Sequence, residues 1–500
     1  MSKNQNGGRS TSKKSKKEPQ YSDSELIIGL VGAIGTPLDL VCDLIKGFLK
    51  VFQYQVETIK VSNQIIETLT DAKIPDGAFE RANALMNEGN KLREKSGDNS
   101  ILALAAAARI YDTRESSEDD NGVTPKKRTA TIINSLKHHY EIERLRNIYH
   151  PGVFIFGVYS CETDRIQRLI RKGMHEDQAE KLIRRDEAES KKHGQQVRAA
   201  FHLSDFFISF NSNLNYLEAQ ISRILDLIFG NPFVTPTFDE YSMFLAFSSA
   251  LRSADLSRQV GAVLTKGTNI IATGANDVPK ADGGLYWPSY NEQERIFCDS
   301  EGGRDYRLGY DTNTTEKRKI IDKIVNDAPK KSRKKIKKAL KQSSVMDITE
   351  YGRVVHAEME ALLTCSRMGI STQDAEIFCT TFPCHNCAKH IISSGVRRVV
   401  FIEPYPKSKA LDFHKDSISV ENTLNKVLFE PFIGVGPRSY FNLFSLNLGI
   451  GYELKRKNSK NGLAVNWKRP GAKLRLQLLP ISYLDREGVA LNRLEKLLKK

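Results

Sequence analysis

Cysteine is sparse in this chain: seven residues in 500, an odd number. That count excludes the disulfide framework of a small secreted protein, and the single C-x-x-C reads as metal or redox chemistry in a reducing compartment. The expected location is therefore the cytoplasm. Long apolar runs are also missing. The stretch Leu26 to Ile34 follows a basic N-terminus (Lys13, Lys14, Lys16, Lys17) and superficially copies a signal peptide, but Asp23 and Glu25 interrupt it. It is far short of the roughly 20 apolar residues that span a bilayer. It reads as a buried strand, and no membrane segment is expected. No segment repeats, which excludes a repeat array.

What is present is a long, basic, ordinary globular composition. Five hundred residues exceed one compact core, so about two domains are expected. A net charge of +15 points to an anionic partner: nucleotides, nucleic acid or an anionic membrane surface. Residues 1–21 are Ser, Gly, Asn, Lys and Gln with little apolar content and read as a disordered basic tail, either solvated or a nucleic-acid arm.

From Leu26 the pattern becomes strand (LIIGLV), glycine turn (GAIGT) and amphipathic helix (PLDLVCDLIKGFLKVF). Further strands follow at TIIN (131–134) and VFIFGV (153–158), with helical stretches between. Alternation of this kind predicts an α/β domain over 22–232 with a mostly parallel, doubly wound sheet. The proline-bearing NPFVTPTF (231–238) marks a boundary. A second domain over 238–428 opens with a helix at 240–257 and the β-rich runs GAVLT and NIIATG. A lysine-rich insertion follows at about 313–342, then the strands EIFCTTF and RRVVFIE, each preceded by a helix. Residues 429–500 form a C-terminal extension with a basic amphipathic end, LNRLEKLLKK, expected either to pack on the second domain or to mediate assembly.

The chemistry concentrates in the second domain. His356-Ala357-Glu358 is followed after 24 residues by Pro383-Cys384-His385-Asn386-Cys387. Zinc prefers thiolate and imidazole, and a catalytic site needs three protein ligands with one position open to water. His356, Cys384 and Cys387 supply that count. Cys384 and Cys387 sit three apart at the start of a helix, where the helix N-terminus favours thiolate. Glu358, two residues from the histidine, can reach the attacking water without being a ligand, and shuttle its protons. A structural zinc knot would need a fourth ligand and would not need Glu358. His385, between the two cysteines, points away on a helical turn.

This H-A-E…P-C-x-x-C arrangement resembles the zinc nucleobase and nucleoside deaminases. The run RSADLSRQVGAV and the loop IIATGANDVP resemble the deoxycytidylate branch. By that resemblance Asn276 contacts ribose or phosphate; read alone it is equally a turn-forming Asn. Lys407 and Ser408, in PYPKSKALDF, read as phosphate contacts or as a solvated loop.

The first domain resembles nucleotide kinases. Gly29, Gly32, Gly35 and Thr36 follow a strand and open a helix, the context in which backbone N–H groups cradle phosphate. The lysine that phosphotransfer requires is missing from the loop, and Pro37 follows Thr36. Arg165, Arg168 and the lid-like segment Leu182–Asp186 before His193-Gly-Gln195 read as phosphate ligands or as surface charges.

A degenerate phosphate loop fused to a deoxycytidylate-type deaminase resembles the bacterial anti-phage dCTP deaminases over about residues 24–450. The resemblance implies a P-loop kinase-like α/β domain and an α/β/α deaminase domain. It implies Zn2+ as cofactor and free deoxycytidine nucleotides as substrate: dCTP to dUTP, in some members dCMP to dUMP. It further implies a role in antiviral defence, a regulatory nucleotide at the N-terminal domain or a regulatory small RNA, and a homo-oligomer. Two other readings compete. One is a deaminase of RNA or single-stranded DNA, but Lys330 to Lys341 carries no aromatic for base stacking. The other is a nucleotide sensor with a vestigial metal site, against which all three ligands and Glu358 are retained.

Overall fold

The structure, a computed structural model, describes residues 23–116, 123–188, 194–211, 213–405, 408–478 and 480–499. The tail over 1–21, His193 and Lys407 lie outside the described residues.

The first sheet takes β1 (Leu26–Gly32), β2 (Gln55–Lys60), β3 (Thr129–Leu136), β4 (Val153–Tyr159) and β5 (Phe206–Ser209), all parallel, in the order β2-β3-β1-β4-β5. Every residue of β1 is buried, as expected of a parallel strand covered on both faces. Side chains alternate between two cores. Ile27 and Val31 face the apolar helix Ile101–Asp112, while Ile28 and Leu30 face the helices Leu38–Val51 and Leu214–Ile228. Strand order reverses at β1, with β3 on one side and β4 on the other, so a crevice opens at its carboxyl end where the glycine loop lies.

The second sheet comprises β6 (Gly261–Lys266), β7 (Asn269–Ala275), β10 (Glu376–Thr381), β11 (Arg398–Glu403), β12 (Ile418–Ser419) and β13 (Val427–Pro431), in the order β12-β13-β11-β10-β6-β7. The hairpin of β8 (Ser289–Asn291) and β9 (Ile296–Cys298) stands apart from it. The alternation of β10 decides the layers: Ile377 and Cys379 pack under the two motif helices, and Phe378 packs under the helix Phe238–Ala250 on the other face. That last helix starts on a capping box between Thr237 and Glu240. The lysine-rich insertion is a pair of helices, Thr312–Asp327 and Arg333–Lys341, bridged by Lys337 and Asp322.

The second sheet runs to Pro431, three residues beyond the expected edge at 428, because β13 completes its pairing with β11 there. The C-terminal extension packs chiefly on the first domain and also touches the second, where Tyr440 stacks on Phe244 of the Phe238–Ala250 helix with ring centres 4.2 Å apart. β14 (Gly434–Val435) adds antiparallel to β5, and Leu474, Leu476, Leu478, Tyr483, Ala490 and Leu494 join the cores of the first sheet. The helix Pro480–Leu498 is fastened by Arg114, fully buried, which pairs with both Glu25 and Glu487. The two domains are also tied directly. Glu240 receives Arg223 of the first domain through both carboxylate oxygens, and the extension adds the Val435 amide to Glu240 and the Ser439 hydroxyl to Asp205. No described helix is long and apolar enough to cross a membrane.

Candidate active site

Two helix starts meet on the face of the second sheet opposite the Phe238–Ala250 helix. His356 is the N-cap of the helix Ala357–Met368, and Cys384 is the N-cap of the helix His385–Ser393. The ligand-bearing atoms of His356, Cys384 and Cys387 all lie within 4.8 Å of one another. His356 Nδ1 stands 3.3 Å from Cys387 Sγ and 3.4 Å from Cys384 Sγ, and the Cys387 amide donates to Cys384 Sγ at 3.4 Å. The hydrogen bond from Cys387, against burial and with help from the His356 imidazole, pushes the Cys384 thiol down to about 4. His356 rises to about 9, chiefly through its contact with Cys384. One imidazole and two thiols at helix N-termini form a donor set suited to zinc, and three protein donors leave a position free, as catalytic zinc sites do.

Glu358 begins the same helix one residue past Ala357 and is 4% exposed. Burial pushes its carboxyl above the ordinary range, opposed by the charge of His356. It contacts Cys387 without joining the donor cluster. A buried carboxyl beside a candidate metal site, with its proton affinity raised, is suited to proton transfer.

The sheet brings this helix in close. A Cβ at Gly274 of β7 would stand 2.0 Å from the Ala357 carbonyl oxygen and 2.8 Å from the Ala361 nitrogen. Only glycine permits that approach. Gly274→Ala is therefore expected to push the helix off the sheet and misplace His356 and Glu358 together. Metal content per folded chain and turnover should fall in parallel, read by elemental analysis and product assay.

Asn276 sits at the end of β7, and its side chain is engaged by backbone: Nδ2 donates to Arg258 O (2.9 Å) and Oδ1 accepts the Val260 amide (2.6 Å). It fixes the loop that carries Arg258, whose guanidinium lies 4.8 Å over the Tyr405 ring. The next residue, Asp277, exchanges backbone hydrogen bonds with Val355, immediately before His356. Its buried carboxylate pairs with Arg304, which also holds Asp299. These groups lay beyond sequence reasoning, since Arg304 belongs to a loop whose approach to Asp277 no spacing reveals. Ser408 donates to Pro383 O at 2.8 Å, beside Cys384.

In the first domain Gly29 lies inside β1, between Leu136 and Ile155 side chains, and Gly32 ends the strand. The turn itself is Ala33 to Pro37, with Gly35 at φ +84° against the Arg165 backbone. Arg168 reaches Ser160 (2.7 Å) and lies over Phe210, so the loop gathers arginines from the helix Glu162–Arg171. Thr36 and Ala33 border two cavities. One, about 740 Å³, opens between the domains toward Phe382 and Tyr405, and the other, about 480 Å³, opens over β3.

Residues 236–403 match the family model of the cytidine and deoxycytidylate deaminase zinc-binding region. ComE operon protein 2 of Bacillus subtilis is 42% identical over 72 residues, 14% of this chain and 38% of that protein. The deoxycytidylate deaminase of Enterobacteria phage T2 is 28% identical over 171 residues, 33% of this chain and 79% of that one. That of Schizosaccharomyces pombe is 26% identical over 216 residues, 43% and 51% respectively. The match thus spans less than two thirds of the first of these relatives. A crystal structure of a dCMP deaminase from cyanophage S-TIM5 aligns at 18% identity with a TM-score of 0.23, covering 40% of this chain and 99% of that one.

Proposed function

We propose that this chain, whose residues 236–403 belong to the cytidine and deoxycytidylate deaminase family, hydrolyses the amino group from the cytosine of free deoxycytidine nucleotides, dCTP to dUTP and dCMP to dUMP. The observation that carries the reading is the meeting of one imidazole and two thiols beside a buried carboxyl that stays outside the donor set.

His356, Cys384 and Cys387 would hold the metal. Zinc held there would supply Lewis acidity to the attacking water. Glu358 accepts one proton from that water and delivers it to ring N3 as oxygen adds to C4. It then carries the second proton from the new hydroxyl to the amine. The C4–N4 bond breaks, ammonia leaves, and both water protons and the water oxygen are accounted for. Burial raises the proton affinity of Glu358, which strengthens it as the acceptor of the water proton and keeps that proton on the carboxyl until N3 or the amine takes it.

A free nucleotide is favoured over a polynucleotide by the surface. The helix Arg333–Lys341 presents lysines without an aromatic among them, and stacking platforms are what single-strand binders add to charge. The fusion to a kinase-like domain supports a role in nucleotide metabolism, and by resemblance in depleting dCTP during antiviral defence. Turnover of dCTP in H2(18)O tests the chemistry: each uracil product should carry one labelled oxygen and accompany one ammonia. Unlabelled product, or none, would reject it.

A further inference from the structure

A free nucleotide brings a phosphate to the donor cluster, and the residues that the sequence singles out for it are engaged elsewhere. Asn276 is held by backbone at both ends of its amide, and Ser408 donates to the Pro383 carbonyl. Lys407 lies outside the described residues. Two nearby guanidinium groups are also committed. Arg304 is buried between Asp277 and Asp299, and Arg353 holds Asp305 and the Gly303 carbonyl. Arg258 is placed differently.

Its backbone is fixed from several sides. Asn276 grips the Arg258 carbonyl and the Val260 amide, and the Asp255 carboxylate accepts the amides of Ser257 and Arg258 at 2.8 and 3.0 Å. The Gln259 side chain donates to the Leu251 and Ser253 carbonyls. Because Asp277, next to Asn276, exchanges backbone hydrogen bonds with Val355, this loop lies beside the start of the helix that carries His356 and Glu358. The side chain reaches toward the other motif helix. Its guanidinium lies 4.8 Å over the Tyr405 ring and 3.8 Å from Glu403, whose carbonyl accepts the Phe382 amide two residues before Cys384.

The ion pair leaves this guanidinium available. Arg258 is 42% exposed and Glu403 38%, and a pair at 3.8 Å between groups so exposed contributes little. Glu403 also receives the Thr381 hydroxyl at 3.2 Å. A guanidinium offers its donors in a planar fork that matches phosphate oxygens, and stacking on a ring leaves the edges of that fork open. With the backbone fixed and one face on Tyr405, little freedom remains to be lost when an anion arrives.

We propose that Arg258 binds the 5′-phosphate of the nucleotide whose cytosine meets the donor cluster, and so sets the preference for nucleotide over nucleoside. This rests on the reaction proposed above. Glu403 is the weak competitor that the phosphate displaces from the guanidinium.

Steady-state kinetics of the full-length, zinc-loaded chain on dCMP and deoxycytidine give the ratio of the two kcat/KM values. Arg258→Ala should lower that ratio about 10- to 100-fold, the scale of one charge-assisted hydrogen-bond set. Arg258→Lys keeps the charge and loses the fork, so it should lower the ratio by less; it decides the matter if the alanine variant does not fold. Glu403→Gln removes the competing charge and should raise the ratio about threefold. A residue that only shaped the loop would change both substrates alike and leave the ratio where it was. Calorimetry with dUMP and deoxyuridine reads the same preference without turnover, and Arg258→Ala should weaken dUMP by the same factor relative to deoxyuridine. A parent that binds dUMP through Arg258 yet forms no uracil would reject the reaction and keep the phosphate site. A parent without preference for the nucleotide in either assay, or an Arg258 variant that keeps the parent's preference, would overturn the proposal.

Discussion

Glu358→Ala should yield a folded protein that keeps its zinc and loses turnover by about 10³- to 10⁴-fold, the scale of a positioned general acid–base. The side chain is 4% exposed and lies outside the donor cluster, so the metal site loses no ligand with it. Burial disfavours its charged form more than the charge of His356 favours it, so removing the carboxyl relieves more cost than it adds. The thermal midpoint should therefore hold or rise while ammonia release disappears. Elemental analysis beside the activity assay separates the outcomes: a variant that arrives without zinc would mean that Glu358 is a ligand, and one that still turns over at the parent rate would remove it from the chemistry.

Cys384→Ala should lose metal and activity together. Its sulfur has two jobs, as candidate ligand and as the helix N-cap that accepts the Cys387 amide. Loss of a cap alone costs about 0.5–2 kcal/mol, so the alanine variant should also melt earlier. Cys384→Ser separates the two effects, because a serine hydroxyl caps well and binds zinc poorly. The serine variant is expected to recover most of the thermal stability and none of the metal. Serine with full zinc occupancy would exclude Cys384 from the ligand set.

The cluster of His356, Cys384 and Cys387 beside Glu358 was legible in the sequence because its parts are short-range: His356 and Glu358 share one helix start, and Cys384 and Cys387 share another. β1, β3 and β4 were readable for a similar reason, being continuous apolar runs long enough to stand out. β2 and β5 were not. β2 is an edge strand with mostly polar side chains, half of them exposed, and β5 has four residues. Their existence depends on pairing with β3 and β4, which no local pattern reports. The same limit hid the destination of the C-terminal helix: its amphipathic face was visible, but Arg114 and Glu25, which receive Glu487 and Tyr483, lie more than 370 residues away in the chain. Asp186 was noticed only within an arginine-bearing lid, and Lys137 was not singled out. Lys137 reaches the Ile34 turn because β3 lies beside β1, and Asp186 arrives there from the helix Glu176–Ala188.

The proposed reaction removes the amino group from cytosine on a free deoxycytidine nucleotide. One incubation of purified, zinc-loaded protein with dCTP, dCMP and a cytosine-containing single-stranded oligonucleotide, resolved by chromatography and mass spectrometry, addresses it most directly. The expected products are dUTP or dUMP, with the oligonucleotide unchanged. Uracil in the oligonucleotide alone, or in none of the three, would contradict it.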